Sequence, residues 1–476
     1  MYYKLKEEFR LRGWEMLPTG LVKRLSGKVG FLDPVAYRAL QKACGMISED
    51  SPLLSPQERW ILAELKAEGI LEESAVPVPL TPEQRYRRYP NRYLNSVHWA
   101  VTGKCNSRCR HCYMSAPSGV AGEYSHEMCM EIVRQMEAAG VRTVSLTGGE
   151  ALLRRDFFEI VDALTDADIL VTTVMSNGFL VNEKTLGEFE RRGLKPEFNI
   201  SFDGTGCHDW LRGVEGAEKA AVRAFALCRE HGFPTGAEYC LHRGNIAALR
   251  ESVNFLASLG VASLKVNRLS LEGEGKGIAD HAISCEEEFQ TYLDYIPEFY
   301  EDGAPLSLML SGFFKNIGKD CYGAAFVKRS EEDDCGDYCI CGHARSNMYL
   351  TPDGFIVPCI PMGSAEGGRR HFPNIRETTI AEALSGSMYM TFIDTRLRDY
   401  FAHNPVCASC GYKNRCAAGC RGHVAEAGGG DDLLARDEDA CTFFRQGWYD
   451  KLTRKMTELG IAAKGTENSR GDTCEV

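Results

Sequence analysis

Between residues 97 and 270 one pattern recurs six times along the chain: a short apolar stretch, a turn and an amphipathic segment. Short apolar stretches bounded by turns are typical of buried strands, and apolar positions three and four residues apart are typical of helices. The predicted strands are residues 96–103, 141–148, 169–177, 196–203, 234–242 and 261–270, and the clearest helices are 126–140 and 246–260. This alternation predicts an α/β fold with a parallel sheet, in which chemistry gathers at the carboxyl ends of the strands.

Residues 1–80 have a different pattern and are predicted to form a separate module. The predicted elements are strands within 9–33, helices at 33–45 and 55–69, and a wing at 69–73. Asp33 and Ser55 are expected to cap the two helices, and a proline follows each cap at the first helical position, where its missing N–H costs nothing. Residues 81–96 are polar and rich in Pro and Arg, which indicates a linker.

The chain beyond the six units divides into three further parts. Residues 281–334 are predicted to be mainly helical and to form a bridge. Residues 335–445 are dense in Cys, Gly and Pro with weak periodicity, which is typical of a small domain organised by metal. Residues 446–476 are predicted to form a C-terminal helix and a disordered tail, whose Arg-Gly-Asp tripeptide we attribute to chance.

Composition and charge exclude some classes of function. The 476 residues are 44% hydrophobic and 25% charged, as expected for roughly two to four globular domains. The net charge of −11 argues against nucleic-acid binding, because that requires Lys and Arg to neutralise phosphates. The first residues lack the apolar core of a signal peptide, and no apolar run approaches the roughly 20 residues that span a bilayer. We therefore expect a cytoplasmic protein that binds neither nucleic acid nor membrane.

The chain contains 20 cysteines, which in the reducing cytoplasm are expected to include metal ligands rather than a disulfide framework. Cys105, Cys109 and Cys112 share one short loop directly after the first predicted strand of the six units. Three thiolates can hold a four-iron cluster and leave one iron open to a ligand. The alternative is a zinc site, which would need a fourth ligand such as His111. Cys44, Cys129 and Cys228 lie in helix-like stretches and are interpreted as buried structural cysteines.

Because it follows the first strand of a six-unit β/α barrel, the Cys-x3-Cys-x2-Cys loop resembles that of the radical S-adenosylmethionine (SAM) superfamily. The resemblance implies a partial (β/α)6 barrel at residues 97–280. It also implies that the open iron binds SAM, which is cleaved to a 5′-deoxyadenosyl radical that abstracts a hydrogen from the substrate. His111 is then expected beside the adenine of SAM.

Further motifs lie where this family places its SAM contacts. After the second strand come Gly148, Gly149 and Glu150, and the family uses this segment to contact the methionine amino group, although Ala151 stands where a proline is usual. The family also implies contacts to the ribose and carboxylate at the ends of the third and fourth strands, and the matching residues are Ser176, Asn177, Ser201 and Arg212. The alternatives are an ordinary tight turn, helix caps and surface salt bridges.

Seven cysteines near the C-terminus match the spacing of the SPASM domain, which holds two auxiliary four-iron clusters. The resemblance implies one cluster on Cys341, Cys359, Cys420 and an upstream cysteine, and another on Cys407, Cys410, Cys416 and Cys441. Cys335 is the expected upstream ligand, with Cys339 and Cys321 in reserve. The chain is thus expected to hold three [4Fe-4S] clusters, and a double zinc ribbon is the alternative.

The N-terminal module resembles a RiPP recognition element, a winged-helix module that binds the leader of a ribosomally made precursor peptide. The matching residues are 21–33, which read LVKRL-x5-FLD, and the helix that begins at Ser55. In that family the leader adds a strand beside the third strand of the module. The alternative is a winged helix that binds DNA, which the acidic charge disfavours.

The resemblances together imply a peptide maturase, and enzymes of this layout commonly form thioethers, which is the product we expect. They also imply an external electron donor such as flavodoxin or ferredoxin. Carbon–carbon and carbon–oxygen links are alternatives, and so are haem-pathway enzymes. Sulfatase-type maturases carry an Asp after the cysteine that matches Cys359, and here Ile360 follows. A metal-binding interaction protein without SAM cleavage is the non-enzymatic alternative.

Overall fold

The computed structural model describes residues 1–15, 17–44, 47–92, 94–330, 334–427 and 432–463. The predicted disordered tail, residues 464–476, lies outside these ranges. Among the described residues, no helix is both long and apolar enough to cross a bilayer.

In its described residues the N-terminal module has five short strands and two helices, and a sixth strand, in the predicted linker, pairs with its sheet. The strands are β1 Tyr2–Leu5, β2 Phe9–Gly13, β3 Thr19–Lys23, β4 Val29–Leu32, β5 Leu71–Ser74 and β6 Arg87–Arg88, and the helices are α1 Pro34–Ala43 and α2 Pro56–Ala67. The predicted caps are confirmed: Asp33 accepts from the N–H of Val35, and Ser55 forms a capping box with Glu58. Strands β2, β3 and β4 form an antiparallel meander with β4 at the edge of its sheet. The predicted wing is β5, which pairs with β1, a strand that the sequence did not predict.

The module packs directly against the barrel domain. Asp168 of the barrel accepts ion pairs from Arg10 and Arg24. Gly140 ends the first barrel helix at φ 76°, and a Cβ there would lie 2.7 Å from atoms of both Trp14 and Tyr89. A side chain at this glycine would therefore separate the module from the barrel.

The six predicted β/α units are confirmed. Their strands are β7 Ser96–Thr102, β8 Thr143–Gly148, β9 Leu170–Ser176, β10 Glu197–Ser201, β11 Thr235–Leu241 and β12 Ser263–Arg268. The helices between these strands are α3 His126–Ala139, α4 Phe157–Asp166, α5 Glu183–Arg191, α6 His208–Arg212, α7 Ala217–Glu230 and α8 Leu249–Ser258, and both α6 and α7 lie between β10 and β11. The strands are parallel and neighbour one another in chain order, from β7 to β12.

The two faces of these strands differ in polarity. Val97, Trp99 and Leu146 are fully buried in the core shared with the helices. On the other face, the Asn199 and Asn267 side chains both donate to the Glu238 carboxylate across three neighbouring strands. Further strands continue the sheet beyond β7 and β12, so the barrel is partial, and its polar inner face differs from the packed apolar interior of a closed barrel.

The bridge is helical only in its first part, so the prediction of a mainly helical segment is wrong for the second. It contains α9 Cys285–Glu301, followed by β13 Ser307–Leu310, β14 Phe314–Asn316 and β15 Cys321–Ala324. Strand β13 pairs in parallel with β12, and Leu308 and Leu310 alternate into the core. Strand β13 forms because the edge of β12 is available to it, and β14 and β15 then extend the sheet in turn.

The C-terminal part combines two further sheet strands with many short helices. It comprises β16 Asn347–Leu350, β17 Ile356–Val357, α10 Ile360–Ser364, α11 Glu366–Arg369, α12 Ile380–Ala383, α13 Met388–Asp394, α14 Leu397–His403, α15 Pro405–Ala408, α16 Lys413–Cys416, α17 Arg421–Glu426, α18 Glu438–Arg445, α19 Trp448–Glu458 and β18 Ala462–Ala463. Strand β16 pairs in parallel with β7. The cysteine-rich part is therefore joined to the barrel through one continuous sheet.

Candidate active site

The three cysteines of the first motif lie in one loop that begins where β7 ends, and each sulfur accepts an N–H bond. Cys105 accepts from the backbone of Ser107 (3.4 Å) and Cys112 from that of Ala116 (3.3 Å). Cys109 accepts from Nη1 of Arg212 at 3.8 Å. Burial raises the pKa of Cys105 to about 11, and the neighbouring thiols add to this effect. Thiolates at this position therefore need a bound cation, and the irons of a cluster fit that requirement.

The two glycines after β8 let the second strand approach this loop closely. Gly148 has φ 146°, and a Cβ there would lie 2.3 Å from the carbonyl oxygen of Thr102. A Cβ on Gly149 would lie 2.3 Å from the carbonyl oxygen of Lys104. Larger residues would therefore push the loop away from the strand.

Glu150 is a buried carboxylate that binds the end of the third barrel strand. It is 1% exposed and accepts from the backbone N–H of Asn177 at 2.8 Å and from the Ser176 hydroxyl at 3.1 Å. Burial raises its pKa to about 7, although these hydrogen bonds act in the opposite direction. A positive group beside Glu150 would hold it ionised, so the residue suits an ammonium ligand.

The polar residues at the ends of β9 and β10 lie around the same loop. The amide of Asn177 donates to Oδ1 of Asn106 at 2.7 Å and to the hydroxyl of Ser107 at 3.0 Å. Ser201 is the last residue of β10, is partly exposed and is in register with Glu238 of β11. The structure thus gathers the predicted residues of four strand ends at one edge of the sheet.

Arg212 lies at this edge, and two of its nitrogens donate to the side chain of Asp203. Nε and Nη2 donate to the carboxylate of Asp203 at 2.7 and 3.1 Å. Asp203 is fully buried; burial alone would raise its pKa, but the charge of Arg212 and the interactions with His208 together outweigh burial and lower it. The sequence pointed to Arg212 but gave no reason to pair it with Asp203.

A glycine-rich segment outside the predicted site residues covers the other side of the loop. The 3-10 helix Gly273–His281 follows β12, and the N–H of Glu274 donates to the carbonyl of Cys112 at 3.0 Å. A Cβ on Gly273 would lie 2.4 Å from that carbonyl oxygen. His111 lies beneath this segment, where burial lowers its pKa to about 3 and keeps the ring neutral. The alternating glycines at 273, 275 and 277 are the sequence signal that could have identified this segment.

Four of the C-terminal cysteines line a single cavity. They are the four that the SPASM resemblance assigns to one cluster: Cys407, Cys410, Cys416 and Cys441. Burial raises the pKa of Cys416 to about 12 and that of Cys441 to about 11. Unpaired thiolates are therefore unfavourable in this cavity, and a cluster of irons would supply the missing positive charge.

The cysteines assigned to the other auxiliary cluster are less completely gathered in the structure. Burial raises the pKa of Cys341 and of Cys359, and the nearby thiol of Cys420 adds to this effect in both. The Cys335 thiol instead donates to the side-chain oxygen of Asn414 at 3.3 Å. Asn414 lies two positions before Cys416, a cysteine of the first set.

The two reserve residues lie elsewhere. Cys339 accepts from Arg345, and Cys321 lies on β15. Within the described ranges, no three His, Cys, Asp or Glu side chains are gathered for a single metal ion.

A set of buried and partly buried charges joins the barrel to the cysteine-rich part. Arg268, at the end of β12, binds Glu288 of α9 at 3.2 Å and Asp439 of α18 at 2.6 Å. Asp437, two residues earlier, accepts from the backbone N–H of Cys420 at 2.6 Å. These contacts fix the C-terminal cysteines relative to the barrel, and the sequence gave no signal for them.

Comparisons with known families agree with this division of the chain. Residues 99–256 match the radical SAM superfamily, and residues 339–411 match SPASM, an iron-sulfur cluster-binding domain.

Individual relatives are distant. An AdoMet-dependent heme synthase of Nitratidesulfovibrio vulgaris is 23% identical over 73% of this chain and 92% of its own length. A PqqA peptide cyclase of Granulibacter bethesdensis is 23% identical over 67% of this chain and 80% of its own length. Streptococcus suis SuiB bound to S-adenosylmethionine has a TM-score of 0.60 at 14% identity, covering 92% of this chain and 99% of SuiB. SuiB has also been solved with its precursor peptide SuiA, with a TM-score of 0.56.

The fold is therefore a radical SAM partial barrel with a C-terminal SPASM domain. Residues 96–476 make up about four fifths of the chain, so a match over 92% of it includes part of the N-terminal module. The expected fold class is confirmed.

Proposed function

We propose that the chain is a radical SAM enzyme that abstracts hydrogen from a ribosomally made precursor peptide. The observation that carries the proposal is the gathering of the three-cysteine loop, the Gly-Gly-Glu turn and two polar strand ends at one edge of the sheet. Cys105, Cys109 and Cys112 would hold a four-iron cluster with one open iron. When bound, this cluster supplies the electron that cleaves SAM to methionine and a 5′-deoxyadenosyl radical. Formation of 5′-deoxyadenosine by the reduced, reconstituted protein tests the proposal, and its absence would reject it.

The residues around the loop would orient SAM. Glu150 would bind the amino group, and the backbone of Gly148 and Gly149 would pass close to it. Ser176, Asn177 and Ser201 would bind the ribose and carboxylate from the strand ends, with His111 beside the adenine. Support comes from the burial of Glu150, which disfavours its ionised form until a cation arrives.

The affinity for SAM should therefore depend on pH through Glu150. Its pKa of about 7 lies above the usual value near 4.3, so the unliganded protein loses stability as the pH rises from about 4 to about 7, where the buried carboxyl ionises. An ammonium binds only the ionised form, so lowering the pH from about 8 to about 6 should weaken SAM binding about tenfold. Calorimetry on the reconstituted protein measures this change. E150Q should bind weakly at all pH values, and a flat wild-type profile would reject the role of Glu150.

The SPASM cysteines would hold two auxiliary clusters, which makes three [4Fe-4S] clusters in all. Cys407, Cys410, Cys416 and Cys441 would ligate one, and their shared cavity supports this set. Cys341, Cys359 and Cys420 would ligate the other, with Cys335 as the proposed fourth ligand. An external flavodoxin or ferredoxin would supply electrons.

The substrate is proposed to be a peptide whose leader binds the N-terminal module, a RiPP recognition element at residues 1–80. Strand β4 is the third strand of the meander and lies at the sheet edge, where an added strand could pair with it. Phe31 of β4 is 47% exposed on this strand. The peptide-related names of two matched proteins, PqqA peptide cyclase and SuiB with its precursor peptide, also favour a peptide over other substrates.

Changing Phe31 to aspartate should weaken leader binding at least about tenfold. A charged side chain on this edge strand would have to be buried when the leader adds a strand beside it, and that burial is unfavourable. V76D is the matched control, since Val76 is 61% exposed and follows β5 in the other sheet of the module. Fluorescence anisotropy with a labelled leader measures affinity, and basal SAM cleavage should be unchanged in both variants. Equal affinities of F31D and V76D would contradict the proposed leader site.

A haem-pathway reaction is the second candidate, because a heme synthase matches 73% of this chain and 92% of its own length. That function would require a porphyrin substrate and no leader site on β4. Incubation with a porphyrin in place of a peptide separates the two functions.

Among peptide products we favour a thioether between a cysteine sulfur and a carbon atom, the link that enzymes with this domain layout commonly form. Carbon–carbon and carbon–oxygen links are the alternatives. A thioether consumes a thiol of the peptide, so the product should lose one site of iodoacetamide labelling for each link. Unchanged labelling of a modified peptide would reject the thioether.

A further inference from the structure

The helix after the fourth barrel strand is bonded to the cluster loop along the backbone. The N–H of Arg108 donates to the carbonyl of Arg212 at 3.1 Å, and that of Arg110 donates to Leu211 at 2.8 Å. Gly213 follows with φ 64°, and a Cβ there would lie 2.2 Å from the carbonyl oxygen of Arg108. Helix α6 and the middle of the loop are therefore held together at close range.

The guanidinium of Arg212 divides its donors between an acid and a thiol of this loop. Nε and Nη2 bind Asp203 at 2.7 and 3.1 Å, whereas Nη1 lies 3.8 Å from the sulfur of Cys109. Arg212 is 9% exposed and Asp203 is fully buried. The Asp203 carboxylate also accepts from the N–H of Cys240 at 2.9 Å. Asp203 thus fixes the orientation of the guanidinium, and the remaining nitrogen, Nη1, faces Cys109, a proposed cluster ligand.

We propose that Arg212 is a positioning residue of the cluster site, held by Asp203, and that its bond to Cys109 raises the reduction potential of the SAM-binding cluster. This inference rests on the proposed function, because it requires a cluster at the three-cysteine loop. Hydrogen bonds to the sulfurs are among the factors that set cluster potentials. A donor with a positive charge stabilises the reduced cluster more, since reduction adds negative charge to the sulfurs.

This role differs from the SAM-carboxylate contact that the sequence implied for Arg212. A bidentate grip on a carboxylate uses two of the guanidinium nitrogens, and here Asp203 already occupies them. Lysine could not replace Arg212, because one ammonium lacks the planar fork that reaches an acid on one side and a sulfur on the other.

The test is a potentiometric titration, followed by electron paramagnetic resonance, of the full-length reconstituted protein without SAM. The SAM-binding cluster is the one whose signal changes when SAM is added afterwards. At the wild-type midpoint potential, the ratio of reduced to oxidised cluster should fall about tenfold in R212Q and R212K, which corresponds to about 59 mV. R108Q is the matched control, because Arg108 is exposed and precedes Cys109 directly. Its midpoint should equal that of the wild type.

The outcomes separate this inference from the proposed function. An unchanged SAM-free potential in R212Q would overturn the inference, and weaker SAM binding alongside it would assign Arg212 to the SAM carboxylate. An equal shift in R108Q would also overturn it, since any nearby charge would then suffice. If R212Q loses its cluster, the potential of R212K decides in the same way. A wild-type protein with no SAM-responsive cluster would overturn the proposed function and this inference together.

Discussion

Replacing Cys105, Cys109 and Cys112 together with alanine is expected to abolish 5′-deoxyadenosine formation. These thiols share one loop, and each sulfur is already oriented by an N–H donor. Without them the loop has no thiolate to hold the SAM-binding cluster. Iron content should fall from about twelve to about eight per chain, as the loss of one four-iron cluster requires.

The matched control for this variant replaces the buried structural cysteines Cys129 and Cys228 with alanine. Both lie on helices of the barrel and are fully buried, so the control removes thiols without touching the loop. It should keep its iron and its SAM cleavage. Chromatography of the quenched reaction measures 5′-deoxyadenosine, and its persistence in the triple variant would reject the assignment of the loop.

Replacing Cys407 and Cys416 with alanine is expected to remove one auxiliary cluster and to stop peptide modification. These cysteines line the cavity that they share with Cys410 and Cys441, and two thiols cannot hold a four-iron cluster that requires four. Iron should again fall from about twelve to about eight. Uncoupled SAM cleavage should persist, because the three-cysteine loop lies in a separate part of the chain.

This second variant is checked by iron analysis together with mass spectrometry of the peptide. Cys228→Ala again serves as the control with unchanged iron. Two results would contradict the assignment: unchanged iron in the double variant, or a loss of SAM cleavage as complete as that of the triple variant.

The barrel could be predicted from the sequence because its strands carry a local signal. All six strands lie within two residues of their predicted ends, since apolar runs bounded by glycines and polar turns mark them in the chain. Strands β13 to β15 were missed for a physical reason. They are three or four residues long, and β13 is stabilised by pairing with β12, which no local pattern records.

The candidate site was predictable where ligands are close in sequence. The SPASM resemblance grouped four cysteines that line one cavity, although Cys441 lies 25 positions after Cys416. It did not identify the Asp203–Arg212 pair or the contacts of Arg268, because these depend on how distant elements pack. The choice of Cys335 as a fourth ligand stays a prediction, and its bond to Asn414 directs it toward the segment of the other set.

The central claim is most directly tested by one anaerobic reaction of the full-length, reconstituted protein with SAM, a reductant and the peptide encoded by a short reading frame beside its own gene. We expect 5′-deoxyadenosine and a peptide that is lighter by two hydrogens for each new link, as mass spectrometry would show. Cleavage of SAM with an unchanged peptide, together with turnover of a porphyrin, would contradict the peptide function. Absence of 5′-deoxyadenosine from a fully iron-loaded protein would contradict radical SAM chemistry itself.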